Sequence, residues 1–467
     1  MTSRDNSAFF VMMGALIFLA ACQPPDLGSL KQNPLSMLKL KIESEDSLAS
    51  NTVEDTESRR LSLGDILDGS LASGRLGSDF ITVISSALEK DPVIISARRN
   101  AEAKLAAIQS TRAQKDFQVS GTVYGGIEDV TDNTKGVALA LNASRLVFDG
   151  GMVDAQIASR RFAADSSEYE LQATINERAL RLGSLWVELE KYQMLQNKIE
   201  SRLAVLDPLI EQLEKVAAAG IGDVSKVTAA QRTVSVIRVA ETNISEGLAQ
   251  AQLNFANAFG ALPEKVNYDY QLVTKYLPSK ITDDLIHKSP LLLSQYATYQ
   301  AGLARVEAVE AKKDFNVGFE ARAMRPFAGS GYDSDESIGL VARKTLFNGK
   351  MLESELQEAR AIVQASAENI KATYREGARK VETARQNIMS MDKAILMARK
   401  NAKLTADEIV YLKQQLVIGG STLDSVLSAE ARLYEAESKE INFLAEKQKS
   451  QLVILSALGL LSGIIGL

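Results

Sequence analysis

The sequence is poor in the side chains that most enzymes and metalloproteins use. Its 467 residues include one cysteine, Cys22, and one histidine, His287. An intrachain disulfide is therefore impossible, and metal ligation, thiol chemistry or a catalytic triad has almost nothing to draw on. We predict no catalytic residue, no metal and no cofactor, and we interpret His287 as a surface residue.

The sequence also lacks an excess of positive charge. It has 53 Lys and Arg against 59 Asp and Glu, which gives a formal net charge of −6. Binding to nucleic acid depends on clustered Lys and Arg that neutralise phosphates, and no basic stripe is present. We therefore expect no nucleic-acid partner.

Proline is absent from two long stretches. None of the nine prolines lies between Pro92 and Pro208, and none follows Pro326. Because proline interrupts helix interiors and central strands, these stretches can hold very long elements. They are rich in Ala, Glu, Gln, Lys, Arg and Leu, a composition that favours helix.

The amino terminus is typical of a targeting segment. Residues 8–21 are nearly all apolar but too few for a comfortable membrane span. The run ends in Leu-Ala-Ala-Cys at 19–22, which resembles the lipobox of bacterial lipoproteins; the alternative is a plain secretory signal with a chance cysteine. We predict a lipoprotein signal peptide at 1–21, lipid attachment at Cys22, and an extended lead-in at 22–77.

The rest of the chain contains an internal repeat. Five short matches occur in order at a nearly constant offset of 198 or 199 positions. We interpret them as a tandem duplication, with a first unit at 78–270 and a second at 271–467. The matches are 91–94 with 289–292, 115–117 with 313–315, 146–150 with 345–349, Gly220 with Gly419, and Gly260 with Gly459.

Each unit is predicted to begin with a helix, at 78–115 and 281–313, which a β-hairpin follows. Apolar and polar residues alternate in the hairpins, as in transmembrane barrel strands, although a soluble hairpin with one buried face alternates in the same way. The polar segments 128–135 and 326–337 are predicted turns. The predicted strands are 117–127, 137–147, 315–325 and 338–346.

Long helices are predicted after each hairpin. Asp149 and Asn348, next to Gly150 and Gly349, are placed to cap them. Apolar residues then recur at heptad spacings, as in helices that pack side by side. The first helix, 151–219, would be about 100 Å long if continuous. We expect Asp207-Pro208 to interrupt or restart it.

Four strands cannot close a barrel, and open strand edges are not tolerated in lipid. If the strands lie in a membrane, closure by oligomerisation solves this problem, because three chains supply twelve strands. Such an assembly would be a homotrimer.

The duplication, the hairpins and the stretch Val-Ile-Gly-Gly-Ser-Thr-Leu-Asp-Ser-Val-Leu-Ser-Ala at 417–429 resemble the TolC family of outer membrane factors. With the cysteine of the lipobox, the chain is similar to the lipoprotein branch. The resemblance implies a mainly α protein with a small β part, whose trimer forms a twelve-stranded outer-membrane β-barrel and a periplasmic α-helical tunnel. It also implies passive export, driven by an inner-membrane transporter joined through a periplasmic adaptor protein.

The resemblance assigns two sets of residues near the periplasmic end of the tunnel. The adaptor-contact tips are expected at Gly220, Ile221, Gly222, Gly419, Gly420 and Ser421. The periplasmic aperture is expected near Asp223, Lys226, Asp424, Ser425 and Ser428, where the sequence departs from the aspartate ring that is common in the family.

Other functions remain open at this point. Type I protein secretion uses the same kind of outer-membrane component as drug efflux, and the sequence does not separate them. A periplasmic coiled-coil adaptor lipoprotein without a pore is less consistent with the duplicated helix–hairpin–helix order. An anchored enzyme is disfavoured by the scarcity of His and Cys.

Overall fold

The computed structural model describes residues 77, 79–129, 134–219, 224–263, 273–329 and 332–466. The predicted signal peptide, Cys22 and the lead-in up to residue 76 lie outside the described residues. The helices are α1 (Phe80–Glu89), α2 (Pro92–Arg112), α3 (Met152–Ala218), α4 (Val224–Phe259), α5 (Asp283–His287), α6 (Pro290–Ala311), α7 (Met351–Val417), α8 (Leu423–Ala457) and α9 (Leu461–Ile465). The strands are β1 (Gln118–Asp129), β2 (Thr134–Phe148), β3 (Asn316–Gly329) and β4 (Asp335–Arg343).

The mainly helical class with a small β part is confirmed. Two long helices, α3 and α7, dominate the described chain, and each has 67 residues. At 1.5 Å per residue each is about 100 Å long. α3 packs against α2, α6, α4 and α8, and α7 packs against α6 and α8.

The heptad positions of α3 form much of the helical core. Leu189, Ile199 and Leu206 are each at most 1% exposed. Trp186 is also buried, and its ring meets that of Phe80 edge-on with centroids 5.7 Å apart. The seam that the sequence predicts is therefore the line along which the helices pack.

The prediction that Asp207-Pro208 interrupts the helix is wrong, because α3 continues through Pro208. Proline costs one backbone hydrogen bond and crowds the preceding turn. Buried apolar side chains just before it, including Leu203 and Leu206, pack against neighbouring helices. The carboxylate of Asp207 also binds Arg238 of α4 at 2.9 Å. These contacts offset the cost of the proline.

The prediction of continuous helices at 78–115 and 281–313 is also wrong. A break precedes Pro92 in the first and Pro290 in the second, so that each proline begins a new helix. At the first break the Asp91 side chain accepts a hydrogen bond from the backbone N–H of Val93 at 2.9 Å. Proline at the first helical position loses no hydrogen bond, which explains why the chain restarts there.

The strands form one antiparallel sheet in the order β1-β2-β3-β4. β3 is longer than predicted and contains Pro326, which was assigned to a turn. Pro326 pairs with Ala138 next to a register shift, where an irregular ladder tolerates the missing donor. β4 begins earlier and ends earlier than predicted.

Candidate functional site

The two faces of the sheet differ in chemistry. Because side chains alternate along a strand, the cross-strand register assigns each residue to a face. On the apolar sheet face, Val119 and Ile338 are 72% and 70% exposed, unusually high for large apolar side chains. This face includes Val119, Val123, Leu139, Leu141, Phe319, Ile338 and Leu340.

The polar sheet face carries most of the hydrogen-bonding and charged residues of the sheet. The register also places an ion pair of Arg325 and Glu336 on the apolar sheet face, at its end away from the helices. Arg343 of β4 forms an ion pair with Glu320 of β3. Arg322 lies 3.9 Å from Asp335 on the same pair of strands. The face includes Ser120, Thr122, Asn142, Ser144, Glu320, Arg322, Ser337 and Arg343.

The sheet is open at both sides. β1 pairs only with β2, and β4 pairs only with β3, so the outer edge of each has no strand partner within the described chain. An apolar exposed face with two open edges favours continuation of the sheet by another chain.

The strand-to-helix junctions of the two halves differ in detail. After β2, Asp149 accepts hydrogen bonds from the N–H groups of Gly151 and Val153 at 3.0 and 2.7 Å. These bonds satisfy donors at the start of α3. Gly150 has φ +67°, and a Cβ there would lie 2.6 Å from the Cβ of Asp314. Both the positive φ and the close approach of Asp314 therefore require glycine at position 150.

At the second junction, α7 has no side-chain hydrogen bond to its first turn, so Asn348 does not cap it as expected. The backbone carbonyl of Asn348 instead accepts a hydrogen bond from the N–H of Met351 at 3.3 Å. Gly349 has φ +63°, and the next residue, Lys350, has φ +68°. Lys350 is the only non-glycine residue with positive φ in the described chain.

The turn between α7 and α8 is a Schellman motif. Gly419 has φ +76°. The N–H of Gly420 donates to the carbonyl of Gln415 at 2.8 Å, and the N–H of Gly419 donates to that of Leu416 at 3.3 Å. These bonds satisfy the last carbonyls of α7. Beside the turn, Ile418 is 82% exposed, so an apolar side chain stands in solvent at the tip.

The residues after this turn start α8. Ser421 Oγ donates to the Leu412 carbonyl at 2.7 Å, which ties the turn back to α7. Thr422 caps α8 by accepting from the N–H of Ser425. Asp424, in the first turn, and Ser428 are both half-buried.

The turn between α3 and α4 is the counterpart, in the first repeat, of the turn between α7 and α8. Gly220, Ile221, Gly222 and Asp223 lie outside the described residues, as does the side chain of Lys226. The structure places Gly419, Gly420 and Ser421 in the turn between α7 and α8, and Asp424, Ser425 and Ser428 in the first two turns of α8.

A buried ionic cluster lies at the junction of α3, α7 and α8, and the sequence analysis missed it. Glu430 of α8 is 2% exposed and is contacted by Arg202 of α3 at 3.2 Å and by Lys413 of α7 at 2.8 Å. Arg202 also binds Glu437 of α8 at 2.8 Å, and Lys198 lies 3.3 Å from the same carboxylate. The cluster joins three helices through charge.

A second ionic cluster joins α3 to α8 farther from the turn. Glu188 forms ion pairs with Lys191 and with Lys449 of α8. Burial tends to raise the pKa of the Glu188 carboxyl, but the hydrogen bonds from the two lysines outweigh it and hold this pKa below its ordinary value. Glu188 is therefore favoured in its charged form.

Two aromatic–cation contacts were also missed, although the repeat contained their signal. Arg145 stacks on Phe117, and Lys344 stacks on Phe315. The rings are one repeat offset apart, and so are the cations. Aligning the two units shows both pairs at equivalent positions.

Metal-binding and membrane-helix signatures are absent from the described part of the chain. Among the described residues, no group of three or more His, Cys, Asp or Glu side chains is arranged to hold a metal ion. None of the described helices is long and apolar enough to cross a membrane. His287 is exposed, and its ring lies 5.3 Å from that of Tyr374.

Solved structures of outer-membrane channels share this fold. VceC from Vibrio cholerae is 17% identical with a TM-score of 0.70, over 81% of this chain and 96% of that one. The MtrE channel of Neisseria gonorrhoeae is 14% identical with a TM-score of 0.71, over 82% and 89%. CusC is 17% identical with a TM-score of 0.71, over 83% and 93%.

No family model and no curated protein matches the chain. The structural likenesses show that the chain has the fold of outer-membrane channels, as the resemblance to the TolC family implied.

Proposed function

We propose that three copies of this chain form a passive export channel of the outer membrane. The observation that carries the proposal is the open four-stranded sheet with an exposed apolar face, on a chain whose fold is that of outer-membrane channels. Joining β4 of one copy to β1 of the next would pair every open edge and close a twelve-stranded barrel.

In this arrangement the two sheet faces have separate roles. The apolar sheet face meets lipid, and the polar sheet face lines a water-filled lumen, as in known outer-membrane barrels. α3 and α7 continue the duct on the periplasmic side, where twelve helical segments from three chains form the tunnel wall. A lipid chain on Cys22 anchors the amino terminus.

The channel supplies a route and no energy of its own. A periplasmic adaptor binds at the tips, where Gly419, Gly420 and Ser421 form the described turn, and connects the channel to an inner-membrane transporter. Both drug efflux and type I protein secretion fit such a duct. The duplicated hairpins disfavour the adaptor alternative, because an adaptor does not need strands with a lipid-facing side.

Native mass spectrometry of the protein extracted from outer membranes tests the assembly. The expected result is a mass of three chains, each with a lipid adduct on Cys22. The same preparation in planar lipid bilayers should give discrete conductance steps. A lipid-free monomer without conductance would overturn both the anchor and the shared barrel, and would favour the coiled-coil adaptor.

A further inference from the structure

Two aromatic–cation pairs occupy equivalent positions where the sheet meets the helices. The guanidinium carbon of Arg145 lies 5.2 Å from the centroid of the Phe117 ring. The ammonium of Lys344 lies 4.8 Å from the centroid of the Phe315 ring. Both rings are about half exposed, so the pairs are open to solvent in the isolated chain.

The pairs lie at one end of the apolar sheet face. Arg145 is opposite Phe319 in the register and four residues from Leu141, so it shares the face with both. Lys344 follows directly after β4, two residues beyond Ala342 of the same face. Along this face the exposed side chains thus change from apolar to aromatic and cationic toward the helices.

Within the described ranges, no acidic side chain neutralises the charge of either cation. Among the described residues neither Arg145 nor Lys344 has an ion-pair partner, and both side chains are exposed. Two cations nearby are paired instead: Lys115 binds Asp154 at 2.5 Å, and Lys312 binds Glu355 at 2.5 Å. An unpaired cation at the edge of an apolar surface favours an external anion.

We propose that each pair is a binding site for the phosphate of an anionic glycerophospholipid in the leaflet nearest the helices. The aromatic ring lies at the boundary between acyl chains and headgroups, and the cation reaches the phosphate while its aliphatic stem stays on the apolar face. Anionic lipid attracts Lys and Arg near its surface. The inference rests on the proposed function to the extent that the sheet is embedded in a membrane.

Native mass spectrometry in detergent with added lipid tests this proposal. Phosphatidylglycerol and phosphatidylcholine with the same acyl chains are titrated separately, and bound lipids per assembly are counted. The wild-type protein should retain phosphatidylglycerol in preference to phosphatidylcholine. R145Q/K344Q should weaken that binding by about fivefold per cation removed and leave phosphatidylcholine binding unchanged.

Two control variants separate the site from general effects. R98Q/K104Q removes the same charge from exposed positions of α2 and should keep the wild-type preference. F117L/F315L keeps the apolar bulk but removes both rings, and should lower the preference for phosphatidylglycerol. Conductance in planar bilayers is measured on every preparation to verify a folded channel.

The outcomes separate this inference from the proposed function. A conducting wild type that binds both lipids equally would overturn the lipid site and leave the channel intact. A wild type that prefers phosphatidylglycerol but neither trimerises nor conducts would overturn the channel and keep the lipid site. Displacement of bound lipid by excess inorganic phosphate, or equal loss in R98Q/K104Q, would also overturn the lipid site.

Discussion

The guanidinium of Arg202 lies 3.2 Å from the carboxylate of Glu430, and that carboxylate is 2% exposed. The ion pair is formed across two helices and 228 residues of sequence. A buried carboxylate is tolerated only when its charge is compensated. Arg202 and Lys413 supply that compensation, so the packing of α3 and α7 on α8 depends on them.

Removal of Arg202 should therefore destabilise the helical part of the protein. Arg202→Met leaves Glu430 with one cation and should lower the free energy of unfolding by about 3 kcal/mol. Chemical denaturation of the detergent-solubilised protein, followed by circular dichroism, measures the change. Arg238→Met is the control: its pair with Asp207 is about half exposed on both sides, and its loss should cost less than about 1 kcal/mol. Equal losses would contradict a special role for the buried cluster.

Lys350 has a backbone conformation that favours glycine. Its φ of +68° lies in the left-handed region, where a side chain with a Cβ is strained by about 1 kcal/mol. Lys350→Gly should raise the free energy of unfolding by about that amount. The matched variant is Gly151→Lys: position 151 precedes α3 as position 350 precedes α7, has φ +86°, and leaves open space for a Cβ. It should destabilise by a similar amount, and a neutral result in both variants would contradict the strain.

Two glycines with similar φ should respond differently to alanine. Gly419 has open space around a built Cβ, so Gly419→Ala should cost only the conformational strain of about 1 kcal/mol. A Cβ on Gly459 would lie 2.1 Å from Cδ of Pro290, so Gly459→Ala should cost at least about 1 to 3 kcal/mol more. The difference between the two unfolding free energies measures the steric part. Equal costs would show that Pro290 and the start of α6 can move aside.

The Glu188–Lys449 ion pair should make stability depend on acid. Because the pKa of the Glu188 carboxyl is lower in the folded protein than its ordinary 4.5, the pair stabilises above pH 4.5. This contribution should be lost as the pH falls through the folded pKa. Glu188→Gln should therefore show a shallower loss of stability than wild type between pH 4.5 and more acidic values. Parallel pH profiles for the two proteins would contradict the linkage.

A bulky residue in the turn between α7 and α8 should weaken binding of an adaptor. Gly420→Trp places a large ring at the tip, and its Cβ meets only ordinary contacts, of which the nearest is Gln415 at 3.7 Å. Co-purification of the adaptor should fall, while the mass of the trimer stays unchanged. Gly463→Trp, at another exposed glycine with open space, should leave adaptor binding intact. Unchanged binding in both variants would count against the tip assignment.

The long helices could be predicted because the heptad spacing of their apolar residues is visible within each segment of the sequence. Burial of Leu189 and Leu206 follows from heptad spacing, which any helical partner would satisfy. The continuation through Pro208 could not be predicted, since it depends on packing with residues distant in sequence, such as Ile237 and Leu427 of the same buried cluster. Local proline preferences favoured a break, and tertiary packing outweighed them.

The number and approximate positions of the strands were predicted, but the residues at which they begin and end were not. Pro326 indicated a turn, and only the register shift opposite Ala138 shows why it fits within β3. The ionic cluster of Arg202 and Glu430 carries no sequence signal, because neither residue belongs to a local motif. The aromatic–cation pairs differ: the repeat aligns Phe117 with Phe315 and Arg145 with Lys344, so the sequence does contain a signal for them.

The equal length of α3 and α7 constrains how this protein can change in size. Deletion of one helical turn from α3 alone would draw its tip back by about 5 Å relative to that of α7. A deletion between the start of α3 and Arg202 would also shift the heptad seam and move Arg202 away from Glu430. The lengths of the two helices therefore have to change together. Natural variants with a shorter or longer reach should carry matched insertions or deletions in both halves.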